Sequence, residues 1–221
     1  MQPLDFWRQE AVRGKIAEES NLRTVKQGGW DKIVVISVEN PKDKWMQGQN
    51  VQEIAAKMGK PAKEAALDIL VSSEMQVTII RHSMNENDLI AAMRHPRVCF
   101  VTDGNLTVES EGNTHPRGIG TYPRVLGLYV REKQVLPIEE AIRKMTSLPA
   151  SKMKIHDRGI LKPGFAADIV VFDARTVADR ATYENPWQYP DGINAVFVNG
   201  LPVVWNGDLT GLRNGKVLKK R

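Results

Sequence analysis

Three short runs constrain this 221-residue chain most: Ile33-Val34-Val35-Ile36, Gln76-Val77-Thr78-Ile79-Ile80 and Val98-Cys99-Phe100-Val101-Thr102. Each has strand composition, and the first and third are apolar at successive positions. A strand apolar on both faces is normally covered on both, as in a parallel sheet. Helical patterns separate the runs. Over residues 50–59, Asn50 and Glu53 have capping-box spacing, Val51, Ile54, Ala55 and Met58 share a face, and Gly59 ends the pattern. Pro61 opens a further helix through Leu67, Ile69 and Leu70, and residues 84–94 form another, ended by His95-Pro96. Residues 124–132 and 137–147 continue the helical spacing. An opening helix over residues 5–20 places Trp7, Val12 and Ile16 near one face, with Asp5 as N-cap. Residues 30–147 thus alternate strand and helix, which predicts an α/β fold with a parallel sheet.

The pattern changes near residues 150–157. Ile160–Gly164 reads as a strand–turn element, Ala167–Asp173 as a strand, and residues 194–198 and 201–205 as strands flanking Asn199-Gly200. That dipeptide is a strong hairpin signal, because both central positions of the turn need positive φ. Residues 215–218 read as a last short strand. The expected division is a first domain over 1–155 and a small antiparallel β domain over 156–221.

Composition excludes several classes. The chain is 42 % hydrophobic with a net charge of +5, and its only basic run is Lys219-Lys220-Arg221. A nucleic-acid protein would show a basic stripe interleaved with aromatics. No apolar run approaches the ~20 residues of a membrane span, and the first residues lack the basic-then-apolar order of a signal peptide. The single cysteine, Cys99, sits in an apolar run and fits a buried thiol in a reducing cytoplasm. Neither nucleic acid nor membrane is an expected partner.

The third strand run ends at Asp103-Gly104. Parallel α/β barrels place catalytic groups at such strand ends, although Asp-Gly also makes an ordinary strand-ending turn. His82, His95, His115 and His156 stand in no i, i+2 or i, i+4 relation, so they give no self-contained zinc site. His95 suits a helix end and His82 the end of a strand. Arg117, in His115-Pro116-Arg117, has the side chain suited to gripping a carboxylate through two parallel hydrogen bonds, though spacing alone fits a surface arginine as well. There is no G-x-S-x-G elbow, Walker loop or complete G-x-G-x-x-G fingerprint.

Several ordered blocks resemble one family. Thr102-Asp103-Gly104, His115-Pro116-Arg117-Gly118, residues 120–127 and 140–150, Asp157-Arg158-Gly159, residues 163–173, Ala181-Thr182-Tyr183 and Val198-Asn199-Gly200 resemble the N-acyl-D-amino-acid deacylases (D-aminoacylases) of the amidohydrolase superfamily. The resemblance is strong over 95–218 and looser over 30–93. It implies the last strands of a metal-dependent (TIM-like) barrel followed by part of a β-sandwich. It implies hydrolysis of N-acyl-D-amino acids by a zinc-activated water. Asp103 would be the general base at the Zn2+ centre, and Arg117 the anchor for the substrate's α-carboxylate. Thr102 stands where a serine is common in the family. The family's paired-histidine motif, its cysteine ligand and its further histidine ligands are not matched in this sequence. The expectation is therefore a carboxyl-terminal half whose other zinc ligands come from an amino-terminal-half polypeptide or from self-association. The alternative is a non-catalytic half-domain.

Overall fold

The computed structural model describes residues 9–104 and 114–218, which form two compact units. The described part of the first is residues 9–85; that of the second is residues 86–104 and 114–218.

In the first unit, α1 (Glu10–Lys26) is followed by a short 3-10 turn, Trp30–Lys32, and by β1 (Ile33–Val38). Then come a second 3-10 segment (Pro41–Met46), α2 (Val51–Met58), α3 (Ala62–Ser72) and β2 (Val77–Arg81). The N-cap of α1 is Gln9; Asp5 and Trp7 lie outside the described residues. The capping box of α2 is present, with Asn50 Oδ1 accepting from the Glu53 N–H and the Glu53 carboxylate from the Asn50 N–H. Gly59 closes that helix at φ 65°, a conformation that favours glycine. Ile33, Val35, Val38, Met46, Val51, Ile54 and Ile69 form one core.

The parallel sheet predicted for this region is not what forms. β1 and β2 pair antiparallel, with Ile33 opposite Arg81 and Val35 opposite Ile79. Burial explains the error. β1 is covered by the core, but β2 leaves Thr78 and Ile79 exposed and buries Ile80. Antiparallel pairs tolerate water on one face, and an apolar run does not reveal its partner's direction.

In the second unit, α4 (Glu86–Arg94) leads into residues 95–104, α5 (Arg117–Arg124) and a π-helix, Val125–Glu132. α6 (Ile138–Met145) and α7 (Ser147–Lys152) follow. A four-stranded antiparallel sheet follows: β3 (Ile169–Phe172), β4 (Ile193–Val198), β5 (Leu201–Trp205) and β6 (Asp208–Leu209), in that order. Asn199 and Gly200 turn the β4–β5 hairpin at φ 48° and 84°, as the dipeptide predicts. Arg158 braces this turn, donating to the Asp168 carboxylate and to Asn199 Oδ1. Met93, Phe100, Val125, Leu126, Tyr129, Val135, Leu136, Ala141 and Val177 make the core. The expected switch to β structure near 150–157 falls inside this unit.

Three expected strands are absent. Residues 98–102 pair with no strand; the Val98 carbonyl accepts from the Lys144 ammonium, and the Val98 and Phe100 N–H groups donate to the backbone carbonyls of His95 and Lys144. Residues 160–164 contribute only a turn. Residues 215–218 form no ladder; the preceding Asn214 is tied instead through its side chain to Val198 O. Conversely, the expected loop around Gly118-Ile119-Gly120 is the first part of α5. Among the described residues, no helix is long and apolar enough to cross a membrane.

Candidate active site

Asp103 and Arg117 are brought together. Arg117 Nη2 lies 2.8 Å from Asp103 Oδ2, and its Nε donates to the Asp103 backbone carbonyl at 2.9 Å. One guanidinium therefore grips both the carboxylate and the main chain of the same residue. The grip acts on a backbone of sparse population: Asp103 has φ 47°, in the left-handed region that aspartate tolerates better than most residues. Next to it, a Cβ added to Gly104 would lie 2.6 Å from the Gly118 Cα. Only glycine at 104 lets this corner rest on the first turn of α5.

Arg117 is set by its own surroundings. His115-Pro116 precedes α5, and proline suits a helix start because it carries no N–H to leave unpaired. The Arg117 N–H donates to His115 Nδ1 at 3.0 Å, so that nitrogen carries no proton and a neutral ring holds its proton at Nε2. The His115 ring meets Tyr183 edge-to-face at 5.3 Å. His115, Arg117, Thr121, Arg124, Asp179 and Tyr183 line an open cleft of about 390 Å³. Asp103 does not line it, but its partner Arg117 does.

The cleft's other arginine is also paired. Arg124 Nη1 lies 3.1 Å from Asp179 Oδ2. Burial works against its charge, but Asp179 and Tyr129 together outweigh burial and raise the guanidinium's pKa further. Gly120 permits this approach, since a Cβ there would come within 3.1 Å of Asp179 Cβ. The Asp103 side chain is 79 % exposed and that of Arg117 45 %. Solvent, or a docked ligand, reaches both.

Sequence reasoning missed Arg124, Asp179 and Tyr183. Arg124 and Asp179 are 55 positions apart, and no local pattern links an exposed arginine to a distant aspartate. The other flagged residues are elsewhere. His82 follows β2 in the first unit, where its N–H donates to Lys32 O. His95 ends α4, as its proline neighbour implies, and Cys99 is half-buried.

A zinc site needs about four N, O or S donors in close reach. Among the described residues, no group of three or more His, Cys, Asp or Glu side chains is placed to hold a metal ion. Asp103 is a single exposed carboxylate already paired with an arginine. The described residues do not by themselves fit a zinc centre.

The model of the amidohydrolase family matches residues 23–204, and the chain belongs to that family. The chain is 36 % identical over 175 residues to the D-aminoacylase of Alcaligenes xylosoxydans xylosoxydans, covering 79 % of this chain and 34 % of that protein. It is 41 % identical over 156 residues to the N-acyl-D-glutamate deacylase of the same organism, covering 71 % and 30 %. Among solved structures, D-aminoacylase with a binuclear metal centre superposes with a TM-score of 0.74 at 36 % identity, over 85 % of this chain and 38 % of that one. The N-acyl-D-glutamate deacylase of Bordetella bronchiseptica, complexed with zinc and a phosphonate mimic of the tetrahedral intermediate, gives 0.69 at 34 %, over 81 % and 36 %. The chain spans about a third of the length of the curated relatives it matches.

Proposed function

We propose that this chain is the carboxyl-terminal part of an N-acyl-D-amino-acid deacylase, which hydrolyses the amide to a D-amino acid and a carboxylate. The observation that carries the reading is the Asp103–Arg117 pair beside an open cleft. A guanidinium has five N–H donors. Two are engaged with Asp103, which leaves donors for a substrate α-carboxylate. Binding there sets the scissile amide near the Asp103 carboxylate. Asp103 accepts a proton from the attacking water as the C–O bond forms, then delivers it to the amine nitrogen as the C–N bond breaks. The zinc reported for the relatives supports a zinc requirement in the assembled enzyme, with the missing donors supplied from outside the described residues.

On this reading residues 1–155 are the last part of a TIM-like barrel and residues 156–221 part of a β-sandwich. An amino-terminal-half polypeptide, or a second copy, completes them. The exposed apolar residues of the terminal sheet, among them Val170, Trp205 and Leu209, support a covering partner. The free thiol at Cys99 supports a cytoplasmic location.

The test pairs substrates with a mutant. The chain is co-expressed with its upstream region and assayed on N-acetyl-D-amino acids and on N-acetyl amines that lack the carboxylate. The first class should be turned over far better, and Arg117→Met should remove most of that advantage. Equal use of both classes would take Arg117 out of the anchoring role. Turnover of neither would favour a non-catalytic half-domain.

A further inference from the structure

Residues 95–104 carry Asp103 into the site, yet they lack the sheet ladder that normally fixes such a segment. What holds them is α6. Lys144, on its inner face, is 0 % exposed. Its ammonium donates to the carbonyl of His95 and, at 3.1 Å, to that of Val98. It lies 5.8 Å from the centre of the Phe100 ring and 3.7 Å from the Glu140 carboxylate. Its own backbone carbonyl accepts from the Phe100 N–H at 3.1 Å. The neighbouring Arg143 donates to Pro96 O at 2.7 Å and is itself held by Glu140 at 2.7 and 2.8 Å.

A packing role does not account for this arrangement. Taking an ammonium out of water carries a heavy desolvation penalty, whereas a methionine of similar length would fill the space without it. The charge does what methionine cannot. It satisfies two carbonyls just beyond the end of α4, where helix carbonyls lack partners and a cation is favoured. It thereby ties both ends of the 95–98 turn to one atom. The Phe100 N–H bond extends the hold to within three residues of Asp103. With Arg143 added, three carbonyls of residues 95–98 are held by adjacent cations of one helix.

We propose that Lys144 is a positioning residue for Asp103: its buried ammonium replaces a strand ladder and fixes the segment that delivers the base. This rests on the deacylase reading. The test compares wild type, Lys144→Met and Lys144→Gln in the full chain co-expressed with its upstream region. Turnover of an N-acyl-D-amino acid is measured together with amide hydrogen exchange. Lys144→Met is expected to lower kcat by on the order of 10²-fold, the scale of a misplaced catalytic group. KM should stay within about twofold, because Arg117 belongs to α5 and still binds the carboxylate. Exchange should accelerate over 95–104 while α5 and the terminal sheet keep their protection. Lys144→Gln keeps two N–H donors for the carbonyls and is the fallback should the methionine variant fail to fold. It should show the same pattern in smaller measure. An unchanged kcat, a KM that rises as kcat falls, or exchange that accelerates across the whole unit would overturn the proposal. An inactive wild type would instead refute the deacylase reading on which it rests.

Discussion

Gly127 sets two effects of opposite sign against each other. It lies within the π-helix Val125–Glu132, where alanine is intrinsically preferred by about 1 kcal/mol. A Cβ at this position, however, would sit 2.6 Å from the Val177 carbonyl oxygen and 3.3 Å from the Ala178 Cα. Both are backbone atoms, so no side-chain rotation relieves the clash. Overpacking of this kind costs about 1–3 kcal/mol. The same carbonyl accepts from Arg131 Nη1 at 2.6 Å, and Val177 is 1 % exposed. Moving the backbone of Val177 and Ala178 away would strain a charge-assisted bond of about 1.5–3 kcal/mol. The clash wins, and Gly127→Ala should destabilise the second unit by about 2–5 kcal/mol in total. With a urea slope near 2 kcal/mol/M, the midpoint should fall by about 1–2.5 M. The assay is urea denaturation followed by hydrogen exchange in peptides covering 125–132 and 174–193. Gly14→Ala is the control. It is helical, and nothing lies within 4 Å of its added Cβ, so propensity alone acts and the first unit should gain up to about 1 kcal/mol. A midpoint for Gly127→Ala equal to or above wild type would refute a steric cost at Val177.

Other predictions follow from single groups. Ile54, 0 % exposed in the first core, should cost about 2–5 kcal/mol as alanine but only about 0.5–1.5 as valine, read by the same denaturation. Equal losses would mean the site collapses freely. Asp168 is pushed up by burial, but the Asn199 N–H and the Arg158 guanidinium outweigh that and lower its carboxyl pKa. Its contribution is therefore present above the ordinary value of about 4 and is lost as pH falls through the depressed one. Asp168→Asn should flatten the fall in stability below about pH 4, and an unchanged acid limb would contradict the bracing role. Arg117→Lys keeps the charge but not the two-point geometry, so it should restore only part of the substrate affinity lost in Arg117→Met. Full restoration would mean that charge alone holds the ligand.

Local chemistry was the legible part of the sequence. The capping box at Asn50 and Glu53, the Asn199-Gly200 hairpin and the helix after Pro137 each depend on residues a few positions apart. Sequence position therefore carried their structure. Asp103 and Arg117 were found through the blocks around them, since neither stands out by spacing. Direction and partnership were not legible. The run 98–102 has strand composition, yet its Val98 carbonyl and Phe100 N–H are bonded to Lys144, more than 40 positions away. The sign of the β1–β2 pairing depends on what covers β2, which the run itself does not encode. Arg124 and Asp179 are ordinary charges in the sequence and become neighbours only through the fold.

The proposed function makes Asp103 the base of a D-specific deacylase of which this chain is one part. The most direct measurement is release of free amino acid from N-acetyl-D- and N-acetyl-L-amino acids by the chain co-expressed with its upstream region, with Asp103→Asn beside wild type. The account predicts release from the D series only, lost by about 10²-fold or more in Asp103→Asn while substrate still binds. Release at the wild-type rate in Asp103→Asn, or release from the L series alone, would contradict it.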